Sequence, residues 1–247
     1  MPDPIDVSQS GLAKANENRA KFSGHGRARG AAGFLDPNTQ GSSIDHLGTR
    51  GDSLSVTPSK DGFGMITIAA SWDSQVKDVG SKIGKLLGLK AKSDIDLDLG
   101  CLYELQDGQR GALQCFGNLH GNFNDKPYLA LSEDEQTGDR DGDDEWIRIN
   151  GAKWSEIKRV LFYVYIYKGA SNWSEFRPQI QLRIPNEKPM VVTIGSPNDE
   201  MDICAVAGIE NVRNGIRVTN YTEYFPGQAE MDRAFGFGIE WDVGEKR

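Results

Sequence analysis

The sequence is short of thiols, histidine and long apolar runs, and each shortage closes off a class of protein. Three cysteines in 247 residues, Cys101, Cys115 and Cys204, widely spaced and without a CxxC pair, make neither a disulfide framework nor a zinc site. Of three histidines, His25 and His46 sit in the first fifty residues. His120 lies in a Gly/Asn-rich loop, a surface position rather than that of a general base. The longest apolar run, Val160 to Tyr167, falls far short of the roughly 20 residues that a membrane span needs. Met1-Pro2-Asp3-Pro4 is acidic where a secretion signal is basic and then apolar. A reducing cytoplasm is therefore expected. There is no phosphate-cradling loop or nucleophile elbow. The net charge of −8, from 28 Lys+Arg and 36 Asp+Glu, disfavours a nucleic-acid binder.

What is present divides near residue 51. Residues 1–51 are rich in Gly, Ala, Ser and Asn, and Phe22 and Phe34 are their only aromatics. So little apolar surface does not offset the entropy of ordering the chain, and a disordered tail is expected, with its domain at 52–247. Within that domain the periodicity is that of strands. Ile66, Ile68, Ala70 and Trp72 alternate with Met65, Thr67, Ala69 and Ser71. Leu97, Leu99, Cys101, Tyr103 and Leu105 form one face of another strand, with Asp96, Asp98 and Gly100 opposite. Ile180, Leu182 and Ile184 against Gln179, Gln181 and Arg183 suggest a sheet with one wet face. Val160 to Tyr167 is apolar on both faces and suits a central strand. Asn214-Gly215 between β-prone arms signals a hairpin. Phe235, Phe237, Ile239 and Trp241 read as a closing strand. Many short strands among 29 glycines predict a mainly β fold, an antiparallel sandwich with short peripheral helices. Val76, Val79, Ile83, Leu86 and Leu87, set among lysines and Gly80, Gly84 and Gly88, fit either an excursion between strands or a basic amphipathic helix.

The most informative stretch runs from Ser132 to Glu145 and holds eight carboxylates and one arginine, Arg140. Like charges about 4 Å apart repel by roughly 4 kcal/mol at an effective dielectric near 20, so compact folding calls for a cation. Glycines at 138 and 142 permit tight turns that aim oxygens inward. Hard oxygen ligands favour Ca2+, and the absence of thiolate and imidazole from the segment argues against zinc. The spacing is not that of an EF-hand. The run leads directly into Trp146-Ile147-Arg148-Ile149, and a second acidic set, Asp94, Asp96 and Asp98, lies on another strand. The two sets are expected to meet at one edge of the sandwich.

Ser71-Trp72-Asp73, then Asp96-Leu97-Asp98-Leu99-Gly100-Cys101-Leu102, then Thr137-Gly138-Asp139-Arg140-Asp141-Gly142-Asp143-Asp144-Glu145 resemble, in that order, the motifs of the TerD family of tellurite-resistance and stress-response proteins. Its acidic-loop pattern is matched at Asp134, Thr137, Gly138, Gly142, Asp143, Asp144 and Glu145, with Glu133, Glu135 and Arg140 departing. Leu99 to Tyr103, Ser171-Asn172-Trp173 and Phe235-Gly236-Phe237 resemble its TerA-like branch. The resemblance, over roughly 52–242, implies a β-sandwich with calcium in an acidic cleft. It assigns as ligands Asp96, Asp98, Asp134, Asp141, Asp143, Asp144 and Glu145, with a carbonyl from the Thr137-Gly138 turn.

The first functional reading is a non-enzymatic, calcium-binding scaffold or sensor. The resemblance implies other tellurite-resistance and stress-operon proteins as partners, with an integral membrane component at the inner face of the cytoplasmic membrane. The alternative is a metal-dependent hydrolase using the Asp-rich cluster. Thiol chemistry is disfavoured, since Cys101 and Cys204 sit in apolar strands and a reactive thiol needs exposure and positive neighbours. The Tyr163, Tyr165 and Tyr167 row reads as core with its hydroxyls at the rim.

Overall fold

Alternating segments become paired strands throughout a computed structural model that describes residues 5–6, 43–60, 62–71, 77–78, 90–91, 96–115, 119–132, 145–168, 173, 178–195, 198 and 200–242. In chain order the strands are β1 Ile5–Asp6, β2 Asp45–Leu47, β3 Ser53–Val56, β4 Met65–Ser71, β5 Lys77–Asp78, β6 Lys90–Ala91, β7 Asp96–Leu105, β8 Arg110–Leu113 and β9 Gly121–Asn122. They continue as β10 Leu129–Leu131, β11 Glu145–Asn150, β12 Ile157–Lys168, β13 Gln179–Arg183, β14 Met190–Thr193, β15 Ile203–Val212, β16 Gly215–Phe225 and β17 Trp241–Asp242. A seven-stranded sheet has the order β2-β14-β13-β4-β11-β10-β9 and a six-stranded sheet the order β3-β16-β15-β12-β7-β8. Pairing in both is antiparallel except for β2 beside β14. The fold is a β-sandwich of two mainly antiparallel sheets. Val160 to Tyr167 falls within the central strand β12, between β7 and β15.

The main core lies between the sheets. Ile66, Ile68 and Ala70 from β4 and Ile147 and Ile149 from β11 face Leu97, Leu99, Cys101 and Tyr103 from β7 and Val160, Phe162 and Val164 from β12. A second core covers the outer face of the six-stranded sheet, where Leu102, Leu161 and Tyr163 pack with Met231 and Phe237 under helix α1, Gln228–Phe235. The face of β7 opposite its apolar row is therefore not wet: Asp98 is only 3 % exposed. Gln179 and Gln181 of β13 are likewise buried, and the Gln181 amide donates to Gln179 Oε1 at 2.9 Å. Both corrections have one cause: polar residues alternating with apolar ones take the second face, and that face too is covered.

Other expectations shift in place. The sheet reaches back across the 51/52 boundary, since β2 pairs with β14 and Ile44 and Leu47 are buried. The remaining expectation of a disordered tail falls mainly on residues 1–4 and 7–42, outside the described residues. The hairpin at Asn214-Gly215 forms one residue earlier. Arg213 and Asn214 take the two positive φ values, 53° and 65°, and Val212 pairs with Gly215. Asn211 Oδ1 accepts from the Asn214 amide at 2.9 Å, which holds that register. The expected closing strand is mostly something else. Phe235 ends α1, Gly236 caps it at φ 63°, and only Trp241–Asp242 is strand, parallel to β1. Asp232 replaces the ladder: its carboxylate accepts from the amides of Gly238 and Ile239 and from Trp241 Nε1, at 2.8–2.9 Å. The segment 76–87, read as an excursion or an amphipathic helix, lies largely outside the described residues, of which Lys77–Asp78 forms an antiparallel pair with Lys90–Ala91.

One buried carboxylate fastens this C-terminal segment to the sheet. Glu104, 2 % exposed, accepts from Arg159 Nε at 2.7 Å, Lys158 Nζ at 2.9 Å and Arg110 at 3.3 Å. Arg159 then donates to the carbonyls of Phe235 and Gly236, both at 2.8 Å, and Arg110 to that of Phe237 at 2.7 Å. These carbonyls include the negative end of α1, where cations are favoured. Burial opposes the Glu104 charge, but the hydrogen bonds and charges of Lys158 and Arg159 outweigh it and hold the carboxyl below its ordinary 4.5. A lowered carboxyl contributes stability that is complete above its unfolded-state value and fades as the pH drops through the folded-state value. Glu104→Gln should cost roughly 2 kcal/mol at neutral pH, below the fully buried range because Lys158 and Arg110 reach water. In denaturant titrations the gap between wild type and variant should narrow below pH 4.5; a gap constant into acid would contradict the network's ionic character.

Candidate metal centre

Two strands from opposite sheets bring carboxylates to one place. On β11, Glu145, Ile147 and Ile149 point into the sandwich, and Glu145 is 0 % exposed. A buried carboxylate needs partners, and Glu145 finds them across the interior. Its Oε2 accepts from the backbone amide of Leu99, and its Oε1 from the Cys115 thiol at 3.6 Å. The Leu99 amide is available because β8 pairs with β7 only over Cys101 to Glu104. One residue before Leu99 comes Asp98. Ligand atoms of Asp98, Cys115 and Glu145 all lie within 4.8 Å of one another, and all three residues are buried.

Tyr163 positions this cluster from the far side. It pairs with Gly100 across β12 and β7, and its ring lies so close that a Cβ at position 100 would be 2.3 Å from Tyr163 Cζ. Glycine is required there by contact, not by dihedral. The Tyr163 hydroxyl donates to Gln114 Oε1 at 3.0 Å, which ties down the residue next to Cys115. Burial, with the acidic groups of Cys101, Cys115 and Asp98 nearby, pushes the Tyr163 phenol well above its ordinary value. It therefore stays a neutral donor. Its hydroxyl is in the interior, not at a rim.

Of the expected ligands, Asp98 and Glu145 come together. Asp96 begins β7 opposite Lys168, and its side chain is outside the described residues. Asp134, Thr137, Asp141, Asp143 and Asp144 also lie outside them. Cys115 was not expected in the cluster and removes the premise that no sulfur accompanies the carboxylates. The hairpin held a signal for it: Cys101 pairs with Leu113, and continuing that register by two residues sets Cys115 level with Leu99.

A profile of the TerD domain matches residues 48–190. The chain belongs to the TerD family. It is 39% identical over 189 residues to the tellurium resistance protein TerA of Alcaligenes sp, an alignment covering 76% of this chain and 54% of that protein. The chain thus spans about half the length of this curated relative. The likeness agrees with the TerA-like branch indicated by the motifs. Among solved structures, the crystal structure of a homologue of telluride resistance protein (TerD) from Streptomyces coelicolor A3(2) matches with a TM-score of 0.42 and 13% identity, over 69% of this chain and 95% of that one. Among the described residues no helix is long and apolar enough to cross a membrane.

All three cysteines of this TerD-family protein are buried and none is in a disulfide. Burial pushes the Cys101 thiol up to about 12, and the Cys204 thiol is also raised by burial. A thiol that high is almost wholly protonated at neutral pH and a poor nucleophile. Titration of the native protein with a thiol-specific chromogenic disulfide at pH 8 should label none of the three within minutes, and all three after denaturation. Rapid native labelling of one equivalent would count against the inert assignment.

Proposed function

We propose that this TerD-family protein is a non-enzymatic, calcium-binding component of a tellurite-resistance and stress response, a scaffold or sensor for partner proteins at the cytoplasmic face of a membrane. The observation that carries the reading is the meeting of Asp98 and Glu145 inside 4.8 Å, one from each sheet. Calcium–oxygen distances of about 2.3–2.6 Å let two oxygens so separated share one ion. The acidic segment 133–144 leads without interruption into Glu145 and so can supply further ligands. In this reading Asp98, Glu145 and Asp96 hold the ion from the strands, while Asp134, Asp141, Asp143, Asp144 and a carbonyl at Thr137 complete six to eight oxygens from the loop. The bound ion would offset the mutual repulsion of these carboxylates and set one loop conformation for a partner to recognise. A non-enzymatic role is supported by Glu145, whose two oxygens accept from the Leu99 amide and the Cys115 thiol, which are structural duties. The Cys115 sulfur is the one donor that calcium does not seek.

Calcium added to chelator-treated protein should raise the melting temperature, with stabilisation near 2.7 kcal/mol at a hundredfold excess over Kd. Asp98→Asn and Glu145→Gln should each remove most of that rise. No shift at millimolar calcium would overturn the reading, and a larger shift with zinc that requires Cys115 would reassign the ion. Turnover of phosphate esters or glycosides abolished by Asp143→Ala would establish the hydrolase instead.

A further inference from the structure

Charges of alternating sign cross the outer face of the six-stranded sheet in a single row. Register sets Ser55 of β3 beside Arg217, Arg217 beside Glu210, Glu210 beside Arg159, Arg159 beside Glu104, and Glu104 beside Arg110 of β8. Each acid in the row stands between two arginines, yet the two fare differently. Glu104 gathers both of its neighbours and Lys158 as well. Glu210, half-buried, makes no ion pair and no side-chain hydrogen bond among the described residues. Arg159 is drawn away from it by Glu104 and by the carbonyls of Phe235 and Gly236, and Arg217 is exposed. One carboxylate of the row is thus left without a direct counter-ion.

That carboxylate borders a cleft at the C-terminal end of α1, which Glu210 lines together with Gly208, Tyr221, Phe235, Phe237 and Arg159. Gly208 shapes it. A Cβ there would come 2.6 Å from Tyr221 Cε2, so the bare backbone lets that ring lie against the sheet. The Tyr221 and Phe235 rings meet edge to face, with centroids 4.9 Å apart, whereas Phe237 already carries Arg159, 4.1 Å from its centroid. Burial raises the Tyr221 phenol above its ordinary value and the Glu210 charge adds to the rise, against Arg159 and Arg217. The hydroxyl therefore keeps its proton. The cleft holds about 20 Å³, room for one water-sized group. An anion would face Glu210, and a guanidinium is too large. A water fits but brings no charge. An ammonium has the same size, supplies the missing charge and is favoured beside aromatic rings.

We propose that this cleft takes the ammonium head of a primary alkylamine, with Glu210 as its counter-charge, the Tyr221 hydroxyl as an acceptor and the Tyr221 and Phe235 rings along its alkyl stem. The site does not rest on the calcium reading, since none of its residues belongs to the acidic segments. Titration of the isotope-labelled full chain with n-pentylamine, followed by amide NMR, should give saturable shifts at Gly208 and Glu210. Amines also collect on the acidic run 133–145, so only the amides at the cleft report the site. Glu210→Gln should weaken binding there about tenfold or more, the loss expected when a charge leaves a hydrogen bond. That variant should fold, since Glu210 has no direct partner to lose. Glu187→Gln, in the exposed turn before β14, should bind as wild type does. Tighter binding of n-pentylamine than of Nα-acetyl-lysine methylamide would assign a free amine, and the reverse a lysine of a partner protein. Absence of saturable shifts at these amides, equal affinity for n-pentylguanidine, or wild-type affinity in Glu210→Gln would overturn the proposal.

Discussion

A single buried carboxylate reaching between two sheets organises the candidate site. Glu145 starts its strand in one sheet and accepts the Leu99 amide of the other. That bond is possible because β8 stops pairing with β7 at Cys101 and leaves a length of β7 edge to be satisfied. An unpaired amide facing an apolar interior is costly, and Glu145 removes that cost by presenting charge. Placing charge there has a further effect: Asp98, one residue away, now faces a second acid. The cluster thus follows from a hydrogen-bonding requirement at a strand edge as much as from any ligand.

The same logic recurs at the opposite end of β7. Glu104 is buried and surrounded by Lys158, Arg159 and Arg110, and through the two arginines it fastens the carbonyls at the end of α1. Between the two acids, bare Gly100 admits the Tyr163 ring. β7 therefore carries three different solutions on one face: an acid gathered with other potential ligands, a glycine under an aromatic ring, and an acid neutralised by cations. Helix α1 and its following loop, wrapped about Asp232, keep that face away from water.

How much of this was legible varies with the range of the interaction. Strand identities followed from alternation, and the central position of β12 from its two apolar faces. The meeting of Asp98 and Glu145 was anticipated from charge and strand placement, because so many carboxylates at the ends of two strands need a common resolution. The burial of Gln179, Gln181 and Asp98 was not legible, since period-two alternation says which residues share a face and nothing about what lies over it. The region of Phe235 to Trp241 misled for a related reason. Alternating aromatics suit a strand, but Gly236 and Gly238 take positive φ and Asp232 claims the amides that a ladder would need.

Sequence by itself determined the class of fold, the family, and the two acidic segments, because each is written in local pattern: period, composition and motif order. Tertiary structure alone decided that Cys115 joins the two acids and that Tyr163 is an interior donor. Those outcomes depend on strand register and on which sheet faces which. Register is set by the sum of many weak contacts across the chain, so no single stretch of residues carries it.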